Sequence, residues 1–342
     1  MMQRQNRDLD ELLLLVQGFQ VARLVKSAAD LKLADDIAPA TRVPVADLAA
    51  ARQVDAGRLL RAIRALASFG VFTVDEFARV GHSSKSLLLR SDSANSLHHM
   101  ARFWAMPSNW STWAVFDCGL SAGPTASEIA LGASRMDYFN AHTDEAAIFN
   151  SAMAHRPEDS HTDVAEIYDF AGASLIVDVG GGNGALLRNI LSRCTVPRGI
   201  TFDREEVVGP AREFWNLKDF GERHQFASGD FLQRVPENGD IYIFSDVLSN
   251  LSDETCVQVL RVCRSAMRKG RRVLIVERLL DPDPTKGYPI DFLIDIHFML
   301  NYRDARLRSA LEYQTLLSAA AFGPMRVIPT RSSVAIIESA AV

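Results

Sequence analysis

The stretch that most constrains the fold is Leu175-Ile-Val-Asp-Val-Gly-Gly-Gly-Asn-Gly-Ala-Leu-Leu. An apolar, β-branched run passes into Gly180, Gly181, Gly182 and Gly184, then into a helical pattern from Ala185. Such glycines let the backbone turn tightly and come close to a ligand with no Cβ in the way. The helix that follows aims its free N–H groups at whatever sits there. One strand later Asp203 ends Gly-Ile-Thr-Phe-Asp, the position at which a carboxylate takes up ribose hydroxyls. A strand–loop–helix of this kind belongs to an open parallel sheet.

The sequence around it keeps that rhythm. Apolar runs at 175–179, 199–203, 224–227, 240–245 and 272–277 predict parallel strands, and 185–191, 207–216 and 253–267 predict helices between them. Runs at 325–329 and 333–338 are joined by a short turn, so they must pair antiparallel. The fold class is therefore α/β: a Rossmann-like, doubly wound sheet of seven strands closed by a C-terminal antiparallel hairpin.

The first part of the chain is different. Residues 10–38 carry apolar positions at threes and fours with few charges, which predicts helix buried on more than one face, with a partner chain as the outlet. Helical patterns at 45–51 and 56–69 follow, and Gly70 ends the second before a hairpin at 71–74 and 78–80. Helices followed by a hairpin make a winged-helix pattern, and one use of that pattern is DNA binding. Charge argues otherwise: Lys and Arg total 37 against 42 Asp and Glu, a net charge of −5. Neutralising phosphates needs a basic face. Arg58, Arg61 and Arg64 then read as the solvated face of a scaffold or dimerisation module, and nucleic acid is excluded as a partner.

Residues 96–170 are mostly helical and rich in aromatics, which at helical spacing are core-forming. The expected division is a winged-helix-like dimerisation domain at 1–100, helices bearing an acceptor pocket at 101–170, and a cofactor-binding domain at 171–342.

Gly180-x-Gly182-x-x-Ala185 also satisfies the dinucleotide fingerprint, so NAD must be weighed. Against it stand the missing second nucleotide-binding half, the antiparallel ending, and Gly229-Asp230-Phe231 after the third strand. There an acid beside an aromatic suits adenine, the carboxylate for its amino group and the ring for its face. The ligand reads as an adenosine with a short tail.

Asp178-Val-Gly-Gly-Gly-Asn-Gly, Thr201-Phe-Asp, Gly229-Asp-Phe-Leu and Asp246-Val-Leu together closely resemble the S-adenosylmethionine-dependent small-molecule O-methyltransferases of the plant type and their bacterial relatives. The resemblance spans nearly the whole chain. Ala28-Ala-Asp-Leu-Lys-Leu-Ala-Asp, Arg58-Leu-Leu-Arg-Ala and Gly70-Val-Phe resemble that family's dimerisation domain, and Phe149-Asn-Ser-Ala-Met153 its pocket helix. It implies a homodimer that binds S-adenosylmethionine through Gly180, Gly181, Gly182, Asp203, Arg204, Asp230, Phe231 and Ser245. It also implies an acceptor pocket at Trp104, Phe149, Met153, Asp295 and His297, and methyl transfer to a small aromatic or conjugated secondary metabolite, with O-methylation foremost. In-line alignment of the reactants alone can supply ~7–11 kcal/mol.

One part of the pattern is broken. Where the family carries leucine-histidine-aspartate-tryptophan, with histidine as the base, this chain reads Leu248-Ser249-Asn250-Leu251. A later family glutamate falls loosely at Leu307. A general base is worth about 10²–10⁴ in rate. Its loss raises the prospects of N- or C-methylation, and of a cofactor-retaining relative that does not methylate. Ser249, Asn250 and His297 remain the candidates at the reacting end, with His155 and His161 as weaker ones. Asp295 and His297 lack a third ligand, so a metal site is rejected.

Cys118, Cys194, Cys256 and Cys263 form no zinc or disulfide pattern, which fits a reducing, cytoplasmic setting. The longest early apolar run, Leu12–Val16, is far short of the ~20 residues a membrane span needs.

Overall fold

The computed structural model describes residues 7–93, 95–155, 160–214 and 220–342. The chain divides into two compact units, Met1–Pro157 and Glu158–Val342.

In the first unit the expected continuous helix is two, Arg7–Val16 and Gly18–Asp30, bent 54° apart. The break falls at Gln17–Gly18, where glycine costs about 1 kcal/mol of helix propensity. Within this chain the Arg7–Val16 helix buries no residue, and Leu12, Leu13, Leu14, Leu15 and Val16 are all exposed, whereas the Gly18–Asp30 helix buries Lys26, Ala28 and Ala29. Among the described residues no single helix is long and apolar enough to cross a membrane.

Helices Val45–Arg52 and Ala56–Ser68 follow, the second capped by Asp55, whose side chain accepts from the Arg58 amide at 2.8 Å. Strands β1 (Arg42–Pro44), β2 (Thr73–Val74) and β3 (Arg79–Gly81) form a small antiparallel sheet in the order β1-β3-β2. The β2–β3 turn is held by Asp75, whose Oδ1 accepts from the Phe77 and Arg79 amides. The β1 strand gives no alternating signal in three residues and is an addition to the expected hairpin. Leu33, Ile37, Leu48, Ile63, Leu66 and Phe72 fill the core beneath.

The second unit is the seven-stranded sheet. Its strands are β4 (Leu175–Val179), β5 (Arg198–Asp203), β6 (His224–Ser228), β7 (Ile241–Ser245), β8 (Arg272–Glu277), β9 (Phe322–Pro329) and β10 (Ala335–Ala341), in the order β6-β5-β4-β7-β8-β10-β9. The first five are parallel, and β10 pairs antiparallel with both β8 and β9.

Alternation along the central strands feeds two cores. Val177, Tyr242, Phe244, Val273 and Ile275 face a layer with Cys256, Leu260 and Leu317 from the helices Asp253–Ala266 and Ala310–Ala319. Ile176, Ile241, Ile243, Leu274 and Val276 face Val164, Leu187 and Ile190 from the helices Ser160–Ile167 and Ala185–Arg193. The closing strands run longer than expected at one end: β9 begins at Phe322, three residues before the apolar run at 325. Pro324 is tolerated there because β9 lies at the sheet edge, where a missing N–H costs no ladder bond. Ser333 falls in the turn, not in β10. The helix expected at 207–216 runs Glu205–Phe214, and Asn216 lies outside the described residues.

Candidate functional site

The glycine loop follows from the end of β4. Gly180 has φ +70, and a Cβ there would meet Val247 Cγ2 at 2.7 Å, so the turn after β7 lies against the loop. A Cβ on Gly181 would sit 2.6 Å from Asp178 Oδ2. The amides of Gly180 and Gly181 both donate to Phe202 O on β5, at 2.8 and 3.3 Å. Gly182 instead donates to Asp203 Oδ2 at 3.0 Å. The loop is thus suspended between two strand ends, and the Ala185–Arg193 helix starts directly beyond it.

Asp203, half-buried, accepts from the Arg204 amide with its other oxygen at 2.8 Å. Its carbonyl accepts from the Gly229 amide at 3.0 Å, which ties it to the Asp230–Phe231 turn. Asp230 is exposed, accepting from the Leu232 amide and Gln233 Nε2, and Phe231 packs on the core below. Gly180, Gly181, Gly182, Asp203, Asp230, Phe231 and Ser245 all lie at the carboxyl ends of β4–β7 or in the loops that leave them, where open α/β sheets bind ligands. The Arg204 guanidinium is exposed and pairs with Glu206 at 3.2 Å.

Two carboxylates in this region escaped the reading of site residues from sequence. Asp178, in mid-sheet on β4, is 1% exposed, and neither carboxylate oxygen has a partner among the described residues. Burial, and then the like charge of Asp203, push it up to about 7. An orphaned buried carboxylate under a glycine loop fits a ligand that carries positive charge, as S-adenosylmethionine does. Glu277, the last residue of β8, is also 1% exposed. It accepts from the Ser249 amide at 3.1 Å. Burial and then Asp246 push it up to about 8, while donors on Ser249 and Leu248 pull it partly back. Each stands as a lone acid in a buried apolar strand, and that contrast was the available signal.

Ser249 is buried in a 3₁₀ turn, Leu248–Asn250, which follows Asp246 in the left-handed region at φ +53. The turn is clamped by Arg308, itself fully buried, which donates to Leu248 O at 2.8 Å and Leu251 O at 2.6 Å and pairs with Asp253. Arg306 N donates to Ser249 O at 2.8 Å. Asn250 is exposed, its amide side chain donating to Asp246 O at 2.8 Å. Leu307 is buried, and its N–H donates to Asp295 Oδ1 at 2.7 Å. His297 is buried in the helix Pro289–Asn301, with Asn301 Nδ2 at 3.2 Å from its Nδ1. Two residues apart on a helix, Asp295 and His297 point away from one another.

The pocket candidates fall in different units. Trp104, Phe149 and Met153 belong to the first, on the helices His98–Trp104 and Thr143–Ala154. Phe149 lies 4.9 Å from the Phe139 ring and Trp104 5.2 Å from Phe103. His155 stacks on His99 at 4.4 Å, with His98 edge-on beyond. Asp295, His297 and His161 belong to the second unit.

Residues 122–323 match the family described as an O-methyltransferase domain. The phenazine O-methyltransferase PhzM of Lysobacter antibioticus is 34% identical over 96% of this chain and 95% of its own length. The phenazine-1-carboxylate N-methyltransferase of Pseudomonas aeruginosa is 32% identical over 93% of this chain and 92% of its own. Among solved structures, CalO1, a methyltransferase in calicheamicin biosynthesis in its SAH-bound form, superposes with a TM-score of 0.87, 27% identity and full coverage of both chains.

Proposed function

On the premise that this chain belongs to the S-adenosylmethionine-dependent O-methyltransferase family, we propose that it methylates a small aromatic or conjugated metabolite at a hydroxyl, with nitrogen as the second acceptor type. The observation that carries the reading is Asp178: a buried carboxylate without a partner among the described residues, beneath a glycine loop in which a Cβ at Gly182 would meet open space. When bound, the cofactor supplies a methyl group on a cationic sulfur. Asp178 and the loop would hold its charged amino-acid end, Asp203 its ribose, and Asp230 with Phe231 its adenine. Ser245 would border the same site, and Arg204 would lie at its rim. What these residues do is orient the methyl carbon, the step for which alignment is worth ~7–11 kcal/mol.

The acceptor class follows from the company the chain keeps: one relative is named for O-methylation of a phenazine, another for N-methylation of a phenazine carboxylate. Trp104, Phe149 and Met153 of the first unit and, separately, Asp295 and His297 of the second are proposed as acceptor-binding residues. The non-methylating alternative is not favoured, since those relatives are methyltransferases. A homodimer is proposed from the apolar residues Leu12, Leu13, Leu14, Leu15 and Val16, all of them exposed on the first helix, since contiguous exposed apolar surface marks an association site.

The test is to incubate the protein with S-adenosylmethionine and a panel of phenols, hydroxyphenazines, phenazine carboxylates and amines, and to follow S-adenosylhomocysteine by mass spectrometry. Product formed only when an acceptor is present is the expected result. Tight cofactor binding with no product on any acceptor would overturn the reading.

A further inference from the structure

Three consecutive residues of β5 hold the glycine loop. Asp203 takes the Gly182 amide on its carboxylate, Phe202 takes the Gly180 and Gly181 amides on its carbonyl, and Thr201 meets Gly184 by contact. A Cβ on Gly184 would lie 3.0 Å from Thr201 Oγ1, 3.0 Å from His224 Cε1 and 3.2 Å from His224 Nε2. Gly184 is the N-cap of the Ala185–Arg193 helix, at φ +80, so whatever it rests on sets where that helix starts.

His224 comes from the neighbouring strand. In the β5–β6 register it stands opposite Gly199, with Thr201 two residues along, the diagonal across which long side chains still meet. Its Nε2 is 2.9 Å from Thr201 Oγ1, and both residues are buried. We propose that His224 is a positioning residue of the cofactor site: through the Thr201 hydroxyl it fixes the seat of Gly184, and with it the loop that takes the cofactor.

The chemistry of the pair suits that role. A lone threonine hydroxyl can turn among staggered rotamers, and the bond to the imidazole selects one of them. The ring is itself backed by Phe226 on the same strand, with ring centroids 4.5 Å apart. Burial, and then the charge of Arg188, keep the imidazole neutral. A neutral ring can donate or accept at Nε2, so it matches the hydroxyl in either direction. Arg188 belongs to the same unit of structure, since its amide closes the first helical turn on Gly184 O at 3.0 Å. Asp203 cannot do this work alone, because it grips the loop at Gly182 and leaves Gly184 to the pair below. In-line transfer magnifies any slack, as a misplacement of ~1 Å can cost about 10²-fold in rate.

This proposal rests on the reading of the loop as the cofactor site, and two measurements separate their failures. The first is hydrogen exchange on the ligand-free wild type, Thr201→Val, Thr201→Ser and His224→Phe. Valine keeps the shape of threonine and phenylalanine keeps a ring, while each removes the bond. Amides at 180–185 should exchange faster in Thr201→Val and His224→Phe but not in Thr201→Ser, with those of β8 unchanged in all. The second is calorimetric affinity for S-adenosylmethionine, expected to fall about 5- to 10-fold in the same two variants and to return in Thr201→Ser. The KM for the cofactor should rise with it and the KM for the acceptor stay level, a split that a general loss of stability would not produce. Loop exchange in Thr201→Val as slow as in the wild type would overturn the positioning role, as would a Thr201→Ser no better than Thr201→Val. Faster exchange with unchanged affinity would also overturn it. If the wild type binds no S-adenosylmethionine, the cofactor reading of the loop fails instead.

Discussion

Asp203, at the tip of β5, accepts the amide hydrogen of Gly182 from the loop after β4 over 3.0 Å, so the carboxylate that shapes the glycine loop is the same one proposed to hold the ribose. Replacing it with alanine removes a charge-assisted bond within the protein and those it would make to ribose, each worth ~1.5–3 kcal/mol. Asp203→Ala should weaken S-adenosylmethionine binding roughly 10- to 150-fold by calorimetry. Unchanged affinity would place the adenosine elsewhere.

Asp178 should trade stability for binding. Its folded form holds a proton up to about pH 7, whereas the unfolded chain gives it up near 3.8. Between those values the folded state binds more protons, so this residue's contribution to stability falls as pH rises through the window and stays lost above it. The cost is on the order of 4 kcal/mol. Asp178→Asn should therefore raise the melting temperature at pH 8 while weakening cofactor binding, and it should abolish the proton release that accompanies binding in buffers of different ionisation enthalpy. A variant less stable than wild type at that pH would refute the account.

His224 works in the opposite pH direction. It is buried beside Gly184 with its Nε2 at 2.9 Å from Thr201 Oγ1, and burial, then Arg188, push it down to about 4. The unfolded imidazole titrates near ~6.5. Between the two values the unfolded state binds the extra proton, so stability is full above the upper value and is lost as pH falls toward the lower, by about 2–3 kcal/mol. Denaturant midpoints at pH 7 and pH 5 should differ more in the wild type than in His224→Gln. Equal differences would assign the acid sensitivity to other groups.

The strand–loop–helix around Gly180–Gly184 was legible because alternation, glycine and a helical period each speak within a few residues. The hairpin was legible because two apolar runs with a short turn between them can pair only one way. Asp178 and Glu277 were not, since the meaning of a buried acid lies in what surrounds it: Ser249 reaches Glu277 across 28 positions. The bend at Gln17–Gly18 was hidden for another reason, as apolar content is the same on both sides and no proline marks the break. The start of β9 was misread because Pro324 excludes a central strand but not an edge one.

The hydrogen bonds around Arg308 carry a mechanical consequence. Leu248, Ser249 and Leu251 hang from Arg306 and Arg308, and Leu307 between those two hangs from Asp295 on the Pro289–Asn301 helix. Ser249 cannot shift without pulling that helix through a chain of three short links. Substitutions that displace the helix would therefore displace the 248–251 turn in the same stroke.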